Sequence, residues 1–263
     1  MAPLAAPAPV TRRFFGQGVW NIVRFNWPFY ALALAAGAAG LPLRPWLPAP
    51  WHALMGLGLG LAGLLVLASL VVSAYVYDCS GLYKLDWLLR AGLPTPPSTL
   101  LTVSAGFDEL SPLLHQRLPS THLLAFDFYD PAQHTEASIR RARAAYPPWP
   151  GTRAVGTGDL PLPTASVQAV VAFLAAHEVR NTAERAAFFR ELGRVAEPGA
   201  PIIVVEHLRD AANFMAYTVG FLHFHSRRTW LATFRAAELR VAAERKLTPF
   251  LSVFTLYPNA ASA

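Results

Sequence analysis

The run from Trp51 to Tyr77 contains no Asp, Glu, Lys or Arg, and it limits what this chain can fold into more than any other feature. It exceeds the roughly 20 residues needed to cover a hydrocarbon core of about 30 Å. Nothing polar alternates along Leu57–Val72 to give a helix a wet face, which argues against a buried hairpin of a soluble protein. Gly56, Gly58, Gly60 and Gly63 are small enough to let a neighbouring helix approach closely. An earlier apolar stretch, Trp27–Leu43, is cut short by Pro42, Arg44 and Pro45, so a tilted span and a re-entrant segment are both open for it. Residues 27–77 together read as a transmembrane helical hairpin, behind a disordered or juxtamembrane N-terminus at residues 1–26. The sequence lacks a small-residue cleavage site followed by a polar start, so a secretory signal is not indicated.

Basic residues set the expected orientation. Arg12, Arg13 and Arg24 precede the first stretch, Lys84 and Arg90 follow the second, and only Arg44 lies between them. The positive-inside tendency places both termini, and everything after residue 77, in the cytoplasm. A net charge of +6 and a pI of about 9.8 suit a surface resting on anionic headgroups, so the bilayer is the expected partner. The charges are scattered and no basic–aromatic binding motif appears, so nucleic acid is not. Trp20, Trp27, Trp46, Trp51 and Tyr75 fall near the proposed interfaces, where amphipathic rings prefer to sit. The single cysteine, Cys79, excludes an internal disulfide and any multi-cysteine metal site.

Residues 78–98 read as a juxtamembrane lid and a Pro-rich linker, and the periodicity changes after them. Short apolar runs recur at Leu100–Val103, Leu123–Phe126, Val167–Phe173 and Ile202–Val205, with a weaker one at Arg153–Val155. Segments of helical spacing separate them. In Glu184–Ala196, Phe188, Leu192 and Val195 share one face, Asn181 and Glu184 form a capping-box pattern, and Pro198-Gly199 stops the helix. Strands alternating with helices predict a parallel sheet covered on both faces. Arg240–Leu247 and Leu251–Tyr257 differ: three residues connect them, which permits an antiparallel pair but no crossover.

Five parallel strands and a terminal hairpin over residues 99–259 resemble the class I S-adenosylmethionine-dependent methyltransferases. The resemblance is carried by Gly158-Asp159-Leu160-Pro161-Leu162-Pro163 leading into Ser166–Val171, by Arg194-Val195-Ala196-Glu197-Pro198-Gly199-Ala200, and by Phe126-Asp127 with the helical segment from Ser138. By pattern the nearest relatives methylate quinones and other small or lipidic acceptors. The resemblance implies a Rossmann-like seven-stranded α/β sheet, here preceded by two transmembrane helices, with S-adenosyl-L-methionine as cofactor. It places Ser104, Ala105 and Gly106 in the first turn, Asp127 at the ribose hydroxyls, Gly158, Asp159 and Leu160 around the adenine, and Ala176 beside the methionine end. The first motif departs from the family's acid and G-x-G-x-G: Thr102 stands where the acid belongs, and Ser104 and Asp108 stand where glycines belong, leaving Gly106.

Methyl transfer to an oxygen requires a proton acceptor, and a histidine suits that role. His177 and His207, at the ends of the fourth and fifth expected strands, are the candidate bases. The segment Asp210–Arg228 would shape acceptor specificity; within it Phe214–Phe224 would line an acyl tunnel or pack in the core. Tyr77–Ser80 with Tyr83 would form the lid, and Leu82, Leu85, Leu88 and Leu89 would face lipid. Glu206, His207, His223 and His225 offer nitrogen and oxygen ligands, yet no spacing marks a known zinc box, and no metal is assigned. These features predict a membrane-anchored methyltransferase acting on a lipophilic small molecule. The rival is a non-catalytic lipid- or partner-binding module that retains the fold. A nicotinamide-dependent reductase is disfavoured because the G-x-G-x-x-G turn is absent.

Overall fold

The computed structural model describes residues 13–93 and 96–259. The expected disordered tail at Met1–Val10, the basic Arg12, and Pro94 and Thr95 of the expected linker lie outside these residues. The strands are β1 (Thr99–Ser104), β2 (His122–Asp127), β3 (Arg153–Ala154), β4 (Ala169–Phe173), β5 (Ile202–His207), β6 (Leu239–Thr248) and β7 (Leu251–Pro258). They form one sheet in the order β3-β2-β1-β4-β5-β7-β6. The first five pair in parallel; β7 runs antiparallel to both β5 and β6.

Alternation in the strands explains the two cores. Val170, Ala172, Ile202 and Val204 face Phe188, Phe189 and Leu192 of α7 (Thr182–Val195) and Trp230 and Phe234 of α9 (Arg227–Ala236). Ala169, Val171, Ile203 and Val205 face the opposite side, against α4 (Trp87–Arg90) and α5 (Ser111–Arg117). Helix α7 begins where its cap predicts: the Asn181 side chain accepts from the Ala183 and Glu184 amides at 2.9 and 3.0 Å. Glu184 does not close the capping box; it accepts instead from Thr157 Oγ1 at 2.7 Å, tying α7 to the loop after β3.

The N-terminal part differs in three ways from the expectation. Residues 17–25, expected within a disordered or juxtamembrane segment, form helix α1 (Gln17–Phe25), whose Gly18, Asn21 and Phe25 are buried. Its signal is Gly18, Ile22 and Phe25 at i, i+4 and i+7. Second, where two spans are expected, α2 (Trp27–Leu43) has 17 residues, or ~25 Å at 1.5 Å per residue, the short end of the range for a span. Among the described residues, one helical segment, Ala49–Lys84, is long and apolar enough to cross a membrane; it comprises α3 (Ala49–Ala74) and its continuation. The apolar side chains of α2 and α3 point outward, with Phe29, Leu32, Leu34, Leu57, Leu64 and Leu67 all more than half exposed. Third, Leu82, Leu85 and Leu88 lie in the second core, where Trp87 stacks on Phe173; of the four leucines expected in lipid, Leu89 alone is exposed. A short leucine-rich segment fits a sheet face as well as a bilayer, and its spacing does not distinguish the two.

Helix α1 is fastened to the end of the long helix. Asp78 accepts from the Gly18 and Val19 amides at 2.7 and 3.0 Å, satisfying donors that a helix start leaves free. A Cβ on Gly18 would fall 2.3 Å from the Tyr77 Cβ, so only glycine permits this approach. Gly18→Val is therefore expected to lower stability by about 1–3 kcal/mol through overpacking, with a lower unfolding midpoint in detergent. An unchanged midpoint would mean that α1 does not dock here.

Candidate functional site

At the carboxyl edge of the sheet lies a cavity of about 880 Å³. One wall is Ala105 and Phe107 after β1, Phe173 and Leu174 at the end of β4, and His177 and His207. The other is built from Phe29 and Tyr30 of α2, Leu65 and Val66 of α3, and Ala216 and Val219 of α8 (Ala211–Tyr217) and the turn after it. Phe107 packs edge-on against Phe25 of α1, with centroids 5.4 Å apart, and against Tyr146, so α1 closes one end. Within Phe214–Phe224, Ala216, Val219 and Leu222 line the cavity, whereas Phe214 and Met215 are exposed on the outside.

The turn after β1 keeps a workable geometry. Gly106 has φ +88°, and its amide donates to Asp127 Oδ1 at 2.8 Å. Asp108, in a former glycine position, turns its carboxylate away, accepting from the Leu110 and Ser111 amides at 2.9 Å each. Burial raises its pKa above the usual carboxylate value despite those bonds. Thr102, in place of the family's acid, is buried with its hydroxyl 2.8 Å from that of Ser111. Ser104 donates to the Phe126 carbonyl at 3.3 Å. Asp127 also accepts from the Tyr129 amide at 3.0 Å and ion-pairs with Arg143, whose guanidinium lies 4.5 Å over the Tyr129 ring. A Cβ on Gly106 would meet the Arg143 side chain at 2.8 Å, so this arginine fills the close approach that the glycine creates.

Ser104, Ala105, Gly106 and Asp127 are thus brought together. Gly158 lies beyond them on a second cavity of about 510 Å³, with Tyr129, Asp130, Gly156 and Thr157. Asp159 is exposed and faces Arg194; Leu160 is a core residue whose amide donates to Glu191; Ala176 is buried in the same core. These last three line neither cavity.

Both candidate bases line the large cavity, in opposite electrostatic settings. Burial alone would depress His177, but Glu206 and Glu178 overcome it and raise its pKa to about 10. Its Nδ1 lies 2.6 Å from Glu206 Oε2 and its Nε2 3.2 Å from Glu178 Oε1. The Glu178 carboxyl, although buried, is held far below its usual range by hydrogen bonds from His177 and His223. Burial lowers His207 to about 4, only partly offset by Asn213 and the Phe250 carbonyl, each 3.0 Å from Nδ1. His207 is therefore a neutral imidazole whose Nε2 accepts from the Tyr77 hydroxyl at 2.9 Å. A 3-10 turn, Ala176–Glu178, aims His177, and the irregular turn Tyr75–Cys79 ending the long helix aims Tyr77. Tyr83 donates to Glu109 at 2.6 Å, and Arg13 pairs with the same carboxylate; of the expected lid residues, Tyr77 and Tyr83 line the cavity and Asp78, Cys79 and Ser80 do not.

Glu136, which lines the cavity, and Arg185, which lies behind it, are residues that sequence patterns do not single out. Arg185 is 1% exposed and donates to Thr233 Oγ1 and the Val179 and Arg180 carbonyls, with His225 Nε2 at 3.1 Å. It fixes the loop after β4 from within the core. Its only signal is a charge on the apolar side of α7, between Ala183 and Ala186.

The sheet order and the terminal antiparallel hairpin are those of the class I S-adenosylmethionine-dependent methyltransferase fold. Among solved structures, a SAM-dependent methyltransferase from Aquifex aeolicus superposes with a TM-score of 0.50 at 19% identity, covering 68% of this chain and 93% of that one. Geranyl diphosphate C-methyltransferase from Streptomyces coelicolor A3(2), solved with Mg2+, geranyl diphosphate and S-adenosyl-L-homocysteine, also gives 0.50, at 14% identity over 72% of this chain and 83% of that one. At such identities the likeness establishes the fold. No protein-family model matches the sequence, and no curated protein does.

Proposed function

We propose that the protein is a membrane-anchored, cytoplasm-facing S-adenosylmethionine-dependent methyltransferase acting on a lipophilic acceptor, of quinone-like, isoprenoid or lipid-amine type. The observation that carries this reading is the shared cavity: Ala105, Phe107, His177 and His207 at the sheet edge, next to the turn in which Gly106 donates to Asp127, line one space with the apolar hairpin helices. An acceptor dissolved in lipid would reach the sheet edge between α2, α3 and α8 without crossing water. The second apolar stretch supports the anchor by length, and α2 would lie tilted or re-entrant beside it.

The residues present fit the donor. A strand-end carboxylate and a left-handed glycine leave a cradle that any Cβ would fill. Its current occupant, Arg143, is a flexible, partly exposed side chain that can swing away. S-adenosylmethionine, when bound, supplies an electrophilic methyl on sulfur. Gly106 and Asp127 position it, and the buried aromatic walls exclude water. His207, neutral and facing Tyr77, accepts a proton passed from the acceptor through the tyrosine hydroxyl.

Asp127→Ala is expected to weaken donor affinity by about 1–3 kcal/mol in calorimetry, the loss of a charged hydrogen bond. Arg143→Ala, which frees the carboxylate, is expected to bind at least as tightly as the wild type. The activity is tested by incubating native membranes with labelled methyl donor and identifying the product by mass. Labelled product in a water-soluble acceptor alone, or none at all, would defeat this reading. The second reading, a non-catalytic module, is favoured by one observation: Arg143 already satisfies Asp127. Absence of heat with S-adenosylmethionine, in wild type and Arg143→Ala alike, would put it ahead.

A further inference from the structure

Two imidazoles from distant parts of the chain converge on one carboxylate oxygen. His177 Nε2 lies 3.2 Å and His223 Nε2 2.9 Å from Glu178 Oε1. The ligand atoms these three residues offer all lie within 4.8 Å of one another. A divalent cation with bonds of about 2.0–2.2 Å holds adjacent ligands roughly 3–3.5 Å apart, so the spacing needs little adjustment.

The outer contacts match this use. His177 Nδ1 is held by Glu206 at 2.6 Å, and His223 Nδ1 lies 3.0 Å from Glu136 Oε1. A ligating histidine characteristically gives its second nitrogen to a carboxylate, which fixes the ring and strengthens the donor. Three carboxylates surrounding two imidazoles also form a sink for positive charge. The Arg180 guanidinium answers it by packing against the His223 ring and its carbonyl. Arg180 is exposed and can withdraw to solvent. Glu178 and both histidines line the large cavity, so a bound ion would keep open positions facing it.

We propose that His177, Glu178 and His223 form a binding site for a divalent transition-metal ion, with Glu206 and Glu136 orienting the two histidines. Two imidazoles and a carboxylate suit zinc, iron, manganese or cobalt and do not suit the oxygen-seeking magnesium or calcium. The open positions take an oxygen or a small anion in the cavity; that an acceptor oxygen is the natural occupant rests on the methyltransferase reading, whereas the metal site itself does not.

Tag-free, full-length protein in detergent is stripped with chelator and titrated with Co2+. The expected result is saturable visible absorption at one ion per chain, shifted by azide, with imidazole scattering in the cobalt-edge X-ray spectrum. His223→Gln and Glu178→Gln are each expected to weaken Co2+ binding at least tenfold, while His115→Gln, on a distant surface helix, leaves it unchanged. A wild-type spectrum without imidazole scattering overturns the site, and so does a folded His223→Gln that binds Co2+ as tightly as wild type. If the variants fail to fold, the wild-type edge spectrum decides alone. Donor binding is measured on the same samples by calorimetry with S-adenosylmethionine. Metal without donor upholds the site and fails the methyltransferase reading; donor without metal does the reverse.

Discussion

Replacing His207 by alanine is expected to lower turnover at saturating donor by about 10²–10⁴-fold, the range for loss of a positioned general base. Tyr77→Phe should reproduce much of this loss, because Tyr77 connects His207 to the cavity. Donor affinity should not change in either variant, since neither residue touches Asp127 or Gly106. Full activity in both variants would exclude this relay. The same histidine makes stability pH-dependent. Its folded pKa of about 4 lies below the ordinary 6.5, so the unfolded chain takes up the proton first as pH falls. Its contribution is whole above pH 6.5 and is lost progressively as pH falls through about 4. The shift corresponds to about 3 kcal/mol. Urea titrations of wild type and His207→Gln should therefore differ more in slope against pH between 6.5 and 4 than above 7. Parallel curves would contradict the buried, neutral imidazole.

Arg185→Met should be the most damaging single change in the sheet domain. The arginine is enclosed in the core, and its polar partners are a hydroxyl, two carbonyls and an imidazole. Methionine fills much of the volume but leaves the Val179 and Arg180 carbonyls without that donor. We expect a loss of about 1–3 kcal/mol for each buried carbonyl left without a donor. Because those carbonyls belong to the loop that follows Glu178, the variant should also disturb His177 and His223. A drop in unfolding midpoint with unchanged histidine resonances would limit Arg185 to a packing role. No drop at all would contradict the network.

Most of the sheet was legible because strand and helix periodicities are local. Leu100–Val103, Leu123–Phe126 and Ile202–Val205 needed only apolar runs bounded by turns, and Asn181 marked the start of α7 through its own side chain. The terminal hairpin followed from a connection too short for a crossover. The lid segment was harder. Leu82, Leu85 and Leu88 present the same pattern to lipid and to protein, and the solvent of an apolar face is not written in its spacing. In the turn after β1, the sequence shows Asp108 where the motif has glycine but not that its carboxylate turns into the next helix.

The amino-acid sequence by itself determined the alternating pattern, the apolar stretch Trp51–Tyr77, and the strand ends where polar residues must gather. Those properties depend on neighbours a few residues away. Only the tertiary structure decided that Glu136, Glu178, Glu206, His177 and His223 meet, with Glu178 and His223 separated by 45 positions in the chain. That meeting is set by the strand order, which puts β4 beside β5, and by the segment after α8 folding back over their ends. It was also the fold that laid α1 and the hairpin helices across the same edge. Distance along a chain carries no record of such convergence, because it is long-range packing that closes the space.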